Sequence, residues 1–419
     1  MTSHTQPTYE ASLIGAFGEP MARFVRGKGC YLFDEDDNAF LDFLAGIAVN
    51  SLGHSHPSLN KAIAQQAQQL IHVSNFFETP PQVEAASAVR EIVVGASQIT
   101  GDTTIAKARK LAYDTSRVFF TNSGTESTEA AFKIVRVSHD KTKQRIIALT
   151  HCFHGRSLGA LSATWKPQYR EPFAPLPFDV TFIEPTKEAL EQAWGSDVAA
   201  VIVEVIQGEA GVIPIDHDFL WELRHRCTND DAMLIVDEVQ TGIARTGHWM
   251  AHHMLDDPDS QDRGAFIPDL VTLAKGMGGG VPVGAVVACT PKAVDALKPG
   301  LHGTTFGGNP LATAAVTAVI KTIAANDLLD NVKEQGRYLR EQLRQCGQPV
   351  SEVRGEGLLI GIDVAKDAPA LVRAGLRHGL VMNATGPRTI RLAPPLIVGR
   401  QECDDFLGRW NTVIKEGVC

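Results

Sequence analysis

Ala232-Met233-Leu234-Ile235-Val236-Asp237-Glu238-Val239-Gln240-Thr241-Gly242 changes character within one residue: five apolar side chains, then two acids. An unbroken apolar run of this length reads as a strand buried on both faces, the mark of a parallel sheet covered by helices. Runs of the same kind recur at Arg117–Thr121, Arg145–Thr150, Ala199–Val205 and Leu270–Ala274. Helical patterns lie between them. Glu126–Val137 puts Ala130, Ala131, Ile134 and Val135 on one face, and Pro57–Ile71 is also expected to be helical. Strand and helix alternate from about residue 57 to 325, which predicts an α/β fold with a mostly parallel sheet.

Beyond a helix expected from Pro310, shorter strands at Gly357–Val364 and Thr389–Ala393 predict a smaller α+β domain. A hairpin at Cys30–Phe43, turning at Asp34–Asn38, is expected to join it. The implied boundaries are 1–60 for an N-terminal segment belonging with the small domain, 61–317 for the large domain and 318–419 for the small domain. Two polar stretches, Ser97–Thr115 and Asp256–Gly264, interrupt the pattern and read as surface loops, the second of them mobile.

With 419 residues and 44% apolar side chains, the chain can bury the cores of two or three units. Its 39 basic and 48 acidic residues leave a net charge of −9, which argues against nucleic acid or an anionic membrane as the main partner. Met1–Glu10 carries neither a basic nor an apolar run, so the expectation is a cytoplasmic protein without a signal peptide or transmembrane helix. Seven scattered cysteines with no C-x-x-C pair suit reduced thiols.

No metal is expected. Asp34, Asp36 and Asn38 begin like a calcium loop, but Ala39 and Ala45 stand where glycine and a bidentate glutamate belong. His54, His56, His151 and His154 have no complementary carboxylate or cysteine nearby and read as structural histidines.

Three segments carry chemistry. In Phe119-Phe120-Thr121-Asn122-Ser123-Gly124-Thr125-Glu126, a strand runs straight into a helix whose entrance holds Ser123, Gly124 and Thr125. The free N–H groups and positive dipole end of such an entrance attract a phosphate, although simple N-capping explains the same residues. Asp237 closes its strand at the end that faces the ligand crevice of a parallel sheet, where a carboxylate can bind a protonated pyridine nitrogen. A helix cap or a magnesium-binding acid are the other readings, and the second lacks the G-x-x-x-x-G-K-[ST] loop it needs. Lys275, between the strand Leu270–Ala274 and the run Gly276-Met277-Gly278-Gly279-Gly280, is either a desolvated nucleophilic amine or a strand-end surface lysine.

Together these segments resemble class III aminotransferases of fold type I, enzymes that depend on pyridoxal 5'-phosphate. Gly46-Ile47-Ala48-Val49-Asn50, His72-Val73-Ser74-Asn75, Gly208-Glu209-Ala210-Gly211, Phe306-Gly307-Gly308-Asn309-Pro310 and Arg391-Leu392-Ala393-Pro394-Pro395 resemble the acetylornithine branch of that family. The resemblance spans nearly the whole chain. It implies that Lys275 holds the cofactor as a Schiff base and serves as acid and base, with Asp237 at the pyridine nitrogen. It further implies Ser123, Gly124 and Thr125 at the phosphate, Phe153 stacked on the ring and Gln240 on the ring-hydroxyl side. Thr305 would reach the phosphate from the other subunit of a homodimer with interfacial active sites, and Thr304 would lie near substrate.

Arg156 and Arg391 would hold substrate carboxylates, a task suited to the planar, permanently charged guanidinium. Glu209 would pair with Arg391 when that arginine holds no carboxylate, opening for glutamate and closing for the amine donor. The implied reaction moves the δ-amino group of N2-acetylornithine to 2-oxoglutarate, giving N-acetylglutamate 5-semialdehyde and glutamate in arginine biosynthesis. Succinylornithine, ornithine or 4-aminobutyrate aminotransferases, a pyridoxal-phosphate aminomutase and a non-catalytic effector-binding module remain open at this point. Two departures bear on the choice. Ornithine δ-aminotransferases carry a tyrosine near the position of Gly46, and both polar stretches exceed the family's usual loops.

Overall fold

In the computed structural model, which describes residues 9–95, 103–257, 260 and 263–416, seven strands form the central sheet. These are β1 (Arg117–Thr121), β2 (Arg145–Leu149), β3 (Val180–Ile183), β4 (Val198–Val203), β5 (Met233–Asp237), β6 (Leu270–Leu273) and β7 (Gly284–Ala288). Their order is β1-β7-β6-β5-β4-β2-β3. Only β7 runs antiparallel to its neighbours; the other pairings are parallel.

The apolar runs explain this arrangement. Side chains alternate between the faces of a strand, so a strand apolar at every position needs cover on both sides. Val201, Val203, Leu234 and Val236 enter one buried cluster, whereas Ala200, Ile202, Met233 and Ile235 enter another. The helix Gly124–Ser138 supplies Ala130, Ala131, Ile134 and Val135 to the second cluster.

Towards the C-terminus, Val350–Glu356, Leu359–Val364, Thr389–Leu392 and Asn383–Ala384 form an antiparallel sheet in that order. The N-terminal hairpin strands Tyr31–Phe33 and Ala39–Asp42 join this part of the molecule, because Ala39–Asp42 pairs in parallel with Leu380–Val381. The hairpin turn is held by Asp34 Oδ1, which accepts from the backbone N–H groups of Asp36 at 3.1 Å and Asn38 at 2.9 Å.

The first polar stretch is corrected: Thr104–Thr115 is a helix, capped by Thr103 Oγ1, which accepts from Ala106 N at 3.1 Å. Its buried residues Ile105, Arg109 and Ala112 recur at helical spacing, and a polarity reading hides this because the middle one is an arginine. Arg109 can be buried because Asp256 neutralises it, accepting from Nε at 3.1 Å and Nη2 at 2.5 Å on one carboxylate oxygen. The other oxygen accepts from Phe266 N at 3.0 Å, so the second polar stretch is anchored where it begins. The readings made on residues 1–8, 97–102, 258–259 and 261–262 and on Cys419 lie outside the described residues. Among the described residues, no single helix is long and apolar enough to cross a membrane.

Candidate active site

Five strands of the sheet deliver polar residues to one cavity at their carboxyl ends, where a parallel sheet binds ligands. After β1 come Asn122, Ser123, Gly124 and Thr125; after β2, Phe153, His154 and Arg156; after β4, Glu204; at the end of β5, Asp237, Val239 and Gln240; after β6, Lys275. The cavity measures about 420 Å³.

Lys275 sits in the left-handed backbone region with φ +44°, a conformation that costs a non-glycine residue energy. The next peptide is tied down by Ser51 Oγ, which donates to Gly276 O at 2.8 Å. Burial lowers the pKa of the Lys275 amine, against the opposing pull of the Glu209 carboxylate. Lys275 lines the cavity rather than the outer surface, and a lowered pKa favours the nucleophilic form of its amine.

Asp237 is 4% exposed. Its Oδ1 accepts from Val239 N at 3.0 Å, and its Oδ2 accepts from His154 Nδ1 at 2.7 Å. Burial opposes a charge on His154, but Cys152 and Asp237 beside it together lift the imidazole's pKa well above the ordinary value. Glu204, equally buried, accepts from Phe153 N at 3.1 Å and so fixes the backbone that carries the Phe153 ring. Burial, reinforced by the neighbouring Asp237 carboxylate and opposed by His154, raises its pKa to about 7.

The helix entrance keeps both of its expected features. Ser123 Oγ accepts from Glu126 N at 3.3 Å, while Glu126 Oε2 accepts from Asn122 N at 2.8 Å, a reciprocal cap. Thr125 Oγ1 accepts from the N–H groups of Arg156 at 3.2 Å and Ser157 at 3.1 Å, tying the entrance to the next loop. The hydroxyls are thus engaged in capping and bracing. Gly124 and Thr125, whose N–H groups open the helix and have no intrahelical acceptor, line the cavity, where such donors suit an anion. Gly124 is required by packing, since a Cβ there would lie 2.8 Å from Val239 Cγ1.

Of the two expected carboxylate-binding arginines, Arg156 is exposed at the cavity edge and stacks 3.5 Å from the Tyr169 ring centroid. Arg391 is fully buried and pairs with Glu209. Arg391 Nη1 also donates to Gln240 Oε1 at 2.9 Å, and Nε to Asn383 Oδ1 at 3.3 Å. Its Nη2, also buried, has no hydrogen-bond partner among the described residues.

Four expected residues do not line the Lys275 cavity: Glu209 and Arg391, which contact its wall residue Gln240, and Thr304 and Thr305. Thr304 and Thr305 line a second, larger hollow with His72, Asn75 and Phe76. Thr304 Oγ1 nevertheless accepts from Asn122 Nδ2 at 3.2 Å, so only the Asn122 side chain separates it from the first cavity.

Residues 16–414 match the family described as aminotransferase class-III. The chain belongs to this family. It is 41% identical over 421 residues to the acetylornithine aminotransferase of Bifidobacterium longum, covering 95% of this chain and 93% of that one. To the acetylornithine aminotransferase of Corynebacterium efficiens it is 43% identical, with 98% and 97% covered. Among solved structures, ornithine aminotransferase from Toxoplasma gondii superimposes with a TM-score of 0.85 at 29% identity, covering 98% of this chain and 94% of that chain. N-acetylornithine aminotransferase from Stenotrophomonas maltophilia superimposes with a TM-score of 0.77 at 32% identity, covering 96% and 98%.

The cofactor of this aminotransferase is pyridoxal 5'-phosphate, and the donor set fits it: a buried amine, a buried carboxylate backed by an imidazole, and a helix entrance for the phosphate. Sequence reasoning passed over three residues of the aminotransferase site. His154 read as a structural histidine, and it is satisfied in that sense, but its partner is Asp237. Glu204 directly follows the apolar strand Val198–Val203, where Val205 and Ile206 continue the apolar run past it and mask the polar stop. Tyr169 lies 13 positions from Arg156 with no local pattern linking them.

Proposed function

We propose that this aminotransferase takes N2-acetylornithine as amine donor and 2-oxoglutarate as acceptor, as a cytoplasmic homodimer. The observation that carries the reading is the Glu209–Arg391 pair held by Gln240 of the Lys275 cavity wall, a fully buried arginine whose Nη2 is unpartnered among the described residues beside a carboxylate whose side chain is 30% exposed. An arginine masked by a movable carboxylate serves two substrates of different charge: it is exposed for the dicarboxylate acceptor and neutralised for a donor without a second carboxylate. The relatives named acetylornithine aminotransferase, at 38–43% identity, support this donor, as does Gly46 in place of the tyrosine of ornithine δ-aminotransferases.

Pyridoxal phosphate, when bound, supplies an electron sink for the carbon that gives up its proton. The chain's own residues do the rest. Lys275 Nζ holds the cofactor's aldehyde and, once released, carries the proton at the substrate carbon, a role that needs an amine neutral near working pH. Asp237, braced by His154, would hold the pyridine nitrogen. Ser123, Gly124 and Thr125 would hold the phosphate at the helix entrance, with Phe153 against the ring and Gln240 toward its oxygen; all five line the cavity. Arg156 and Arg391 orient substrate carboxylates, and Thr304 lies near substrate.

Thr305 completes the phosphate site of a second copy. Support for that assembly comes from the hollow around Thr305, whose Phe76 is 92% exposed beside Phe306 at 60%, an apolar face suited to burial against another subunit. The cytoplasmic reading is supported by the cysteines, all of which are free among the described residues.

The test is to add acetylornithine, succinylornithine, ornithine and 4-aminobutyrate separately to the holoenzyme without acceptor and follow loss of the cofactor's visible absorption. Acetylornithine is expected to react fastest. A faster reaction with ornithine or 4-aminobutyrate overturns the assignment.

A further inference from the structure

Gln240 occupies a position that neither capping nor core packing explains. It lies three residues past Asp237, is 7% exposed and lines the Lys275 cavity, yet both ends of its amide engage the residue pair behind the wall. Oε1 accepts from Arg391 Nη1 at 2.9 Å, and Nε2 points at Glu209 Oε1 across a long 3.5 Å. The amide is also wedged against the backbone of Gly208, where any Cβ would overlap it. Gly208 O in turn accepts from Arg391 Nη1 at 3.4 Å.

The chemistry of these partners fixes which way the amide faces. A guanidinium only donates, so Arg391 holds the oxygen end, and the NH2 end is left for acceptors. One acceptor is the Glu209 carboxylate. The other is whatever oxygen occupies the cavity side, which for the bound cofactor is the ring oxygen. The NH2 group has one N–H for each acceptor, and donating one of them to a carboxylate leaves the other a weaker donor.

We propose that Gln240 is the positioning residue through which the Glu209–Arg391 pair acts on the cofactor's ring oxygen. Seating a carboxylate on Arg391 then does two things. It fills the substrate position, and by displacing Glu209 it removes the carboxylate from one Gln240 N–H and so strengthens the other N–H toward the ring oxygen, while Arg391 keeps the amide from flipping. The cofactor is thereby tuned to which substrate is present. This rests on the reading of Arg391 as the carboxylate receptor.

Glutarate tests it, being a dicarboxylate with no keto group to react. The wild-type holoenzyme is titrated with glutarate, following binding by calorimetry and the cofactor's visible absorption in parallel. The expected result is a saturable spectral shift whose midpoint matches the calorimetric one. Gln240→Met, which keeps the bulk and loses both hydrogen bonds, should bind glutarate with the shift lost. Gly208→Ala, which pushes the amide from its seat without changing it, should do the same and serves should Gln240→Met bind the cofactor poorly. Glutarate bound by wild type with no spectral shift, or a shift undiminished in both variants, overturns the relay. Arg391→Met should bind no glutarate; wild-type binding in that variant overturns the Arg391 reading instead, a result distinct from failure of the relay.

Discussion

His154 Nδ1 donates to Asp237 Oδ2 across 2.7 Å in a wall where the histidine side chain has no solvent exposure and the aspartate 5%. A carboxylate this deep keeps its charge only if a donor compensates for lost water. Replacing His154 by alanine removes a hydrogen bond to a charged group, worth about 1.5–3 kcal/mol. If that loss falls on the reacting state, kcat drops about 10- to 100-fold. The KM for 2-oxoglutarate should change little, since His154 does not touch Arg391 or Arg156. Steady-state kinetics with both substrates varied checks this; a loss confined to KM would contradict it.

Lys275→Ala should abolish turnover and still take up pyridoxal phosphate noncovalently, because Asp237 and the helix entrance are untouched. Cofactor retained on a desalting column, with the absorption of the free aldehyde, measures the second half of the claim. Normal turnover would remove Lys275 from the chemistry.

Glu209→Ala leaves Arg391 permanently unmasked. The expected outcome is a lower KM for 2-oxoglutarate and a slower half-reaction with the amine donor, measured by single-turnover absorbance. Two unchanged half-reactions would end the idea that the pair gates.

Arg109 and Asp256 bind the inserted helix Thr104–Thr115 to the start of the second polar stretch. Breaking a buried pair by removing one partner leaves an uncompensated charge, so Arg109→Met should destabilise the protein by about 3 kcal/mol. Asp256→Asn should cost at least as much, because the charge it leaves unpaired, on Arg109, is 2% exposed whereas the Asp256 side chain is 17% exposed. In denaturant unfolding, the double variant should cost less than the two singles together, and strict additivity would mean that the two side chains are not coupled.

Glu204 gives a pH dependence with a defined sign. Its folded pKa of about 7 lies above the ordinary 4.5, so between those values the folded state holds a proton that the unfolded state has lost. Its contribution to stability is therefore full below about pH 4.5 and is lost as pH rises through 7. Glu204→Gln keeps an acceptor for Phe153 N and removes the titration. The apoprotein variant should gain on wild type by about 3 kcal/mol between pH 4.5 and pH 8, read as a denaturant midpoint that falls less with pH. His253 acts in the opposite direction: burial holds its pKa well below 6.5, so its contribution is lost as pH falls below 6.5 in both proteins alike and cancels in the difference.

Much of the site was legible because each cavity residue follows a strand whose own sequence is unambiguous. Phe119–Gly124, Val236–Asp237 and Leu273–Lys275 combine an apolar run with an abrupt polar stop, and the stop marks the crevice. Glu204 was missed only because Val205 and Ile206 continue the apolar run past it. The helix Thr104–Thr115 was missed because Arg109 is apolar in its burial and charged in its letter, and the aspartate that makes this possible lies 147 positions away.

The local pattern by itself determined the sheet, the covering helices and the family, since each depends on side chains a few positions apart on one strand or one helical face. Only the tertiary structure decided the partners. That His154 serves Asp237 across 83 positions, that Arg109 pairs with Asp256 across 147, and that Gln240 touches both Glu209 and Arg391 follow from where the folded chain brings them in space. Charge is the reason. A buried ionic group must find its counterpart wherever the folded chain brings one within hydrogen-bond reach, and distance along the sequence places no limit on that search.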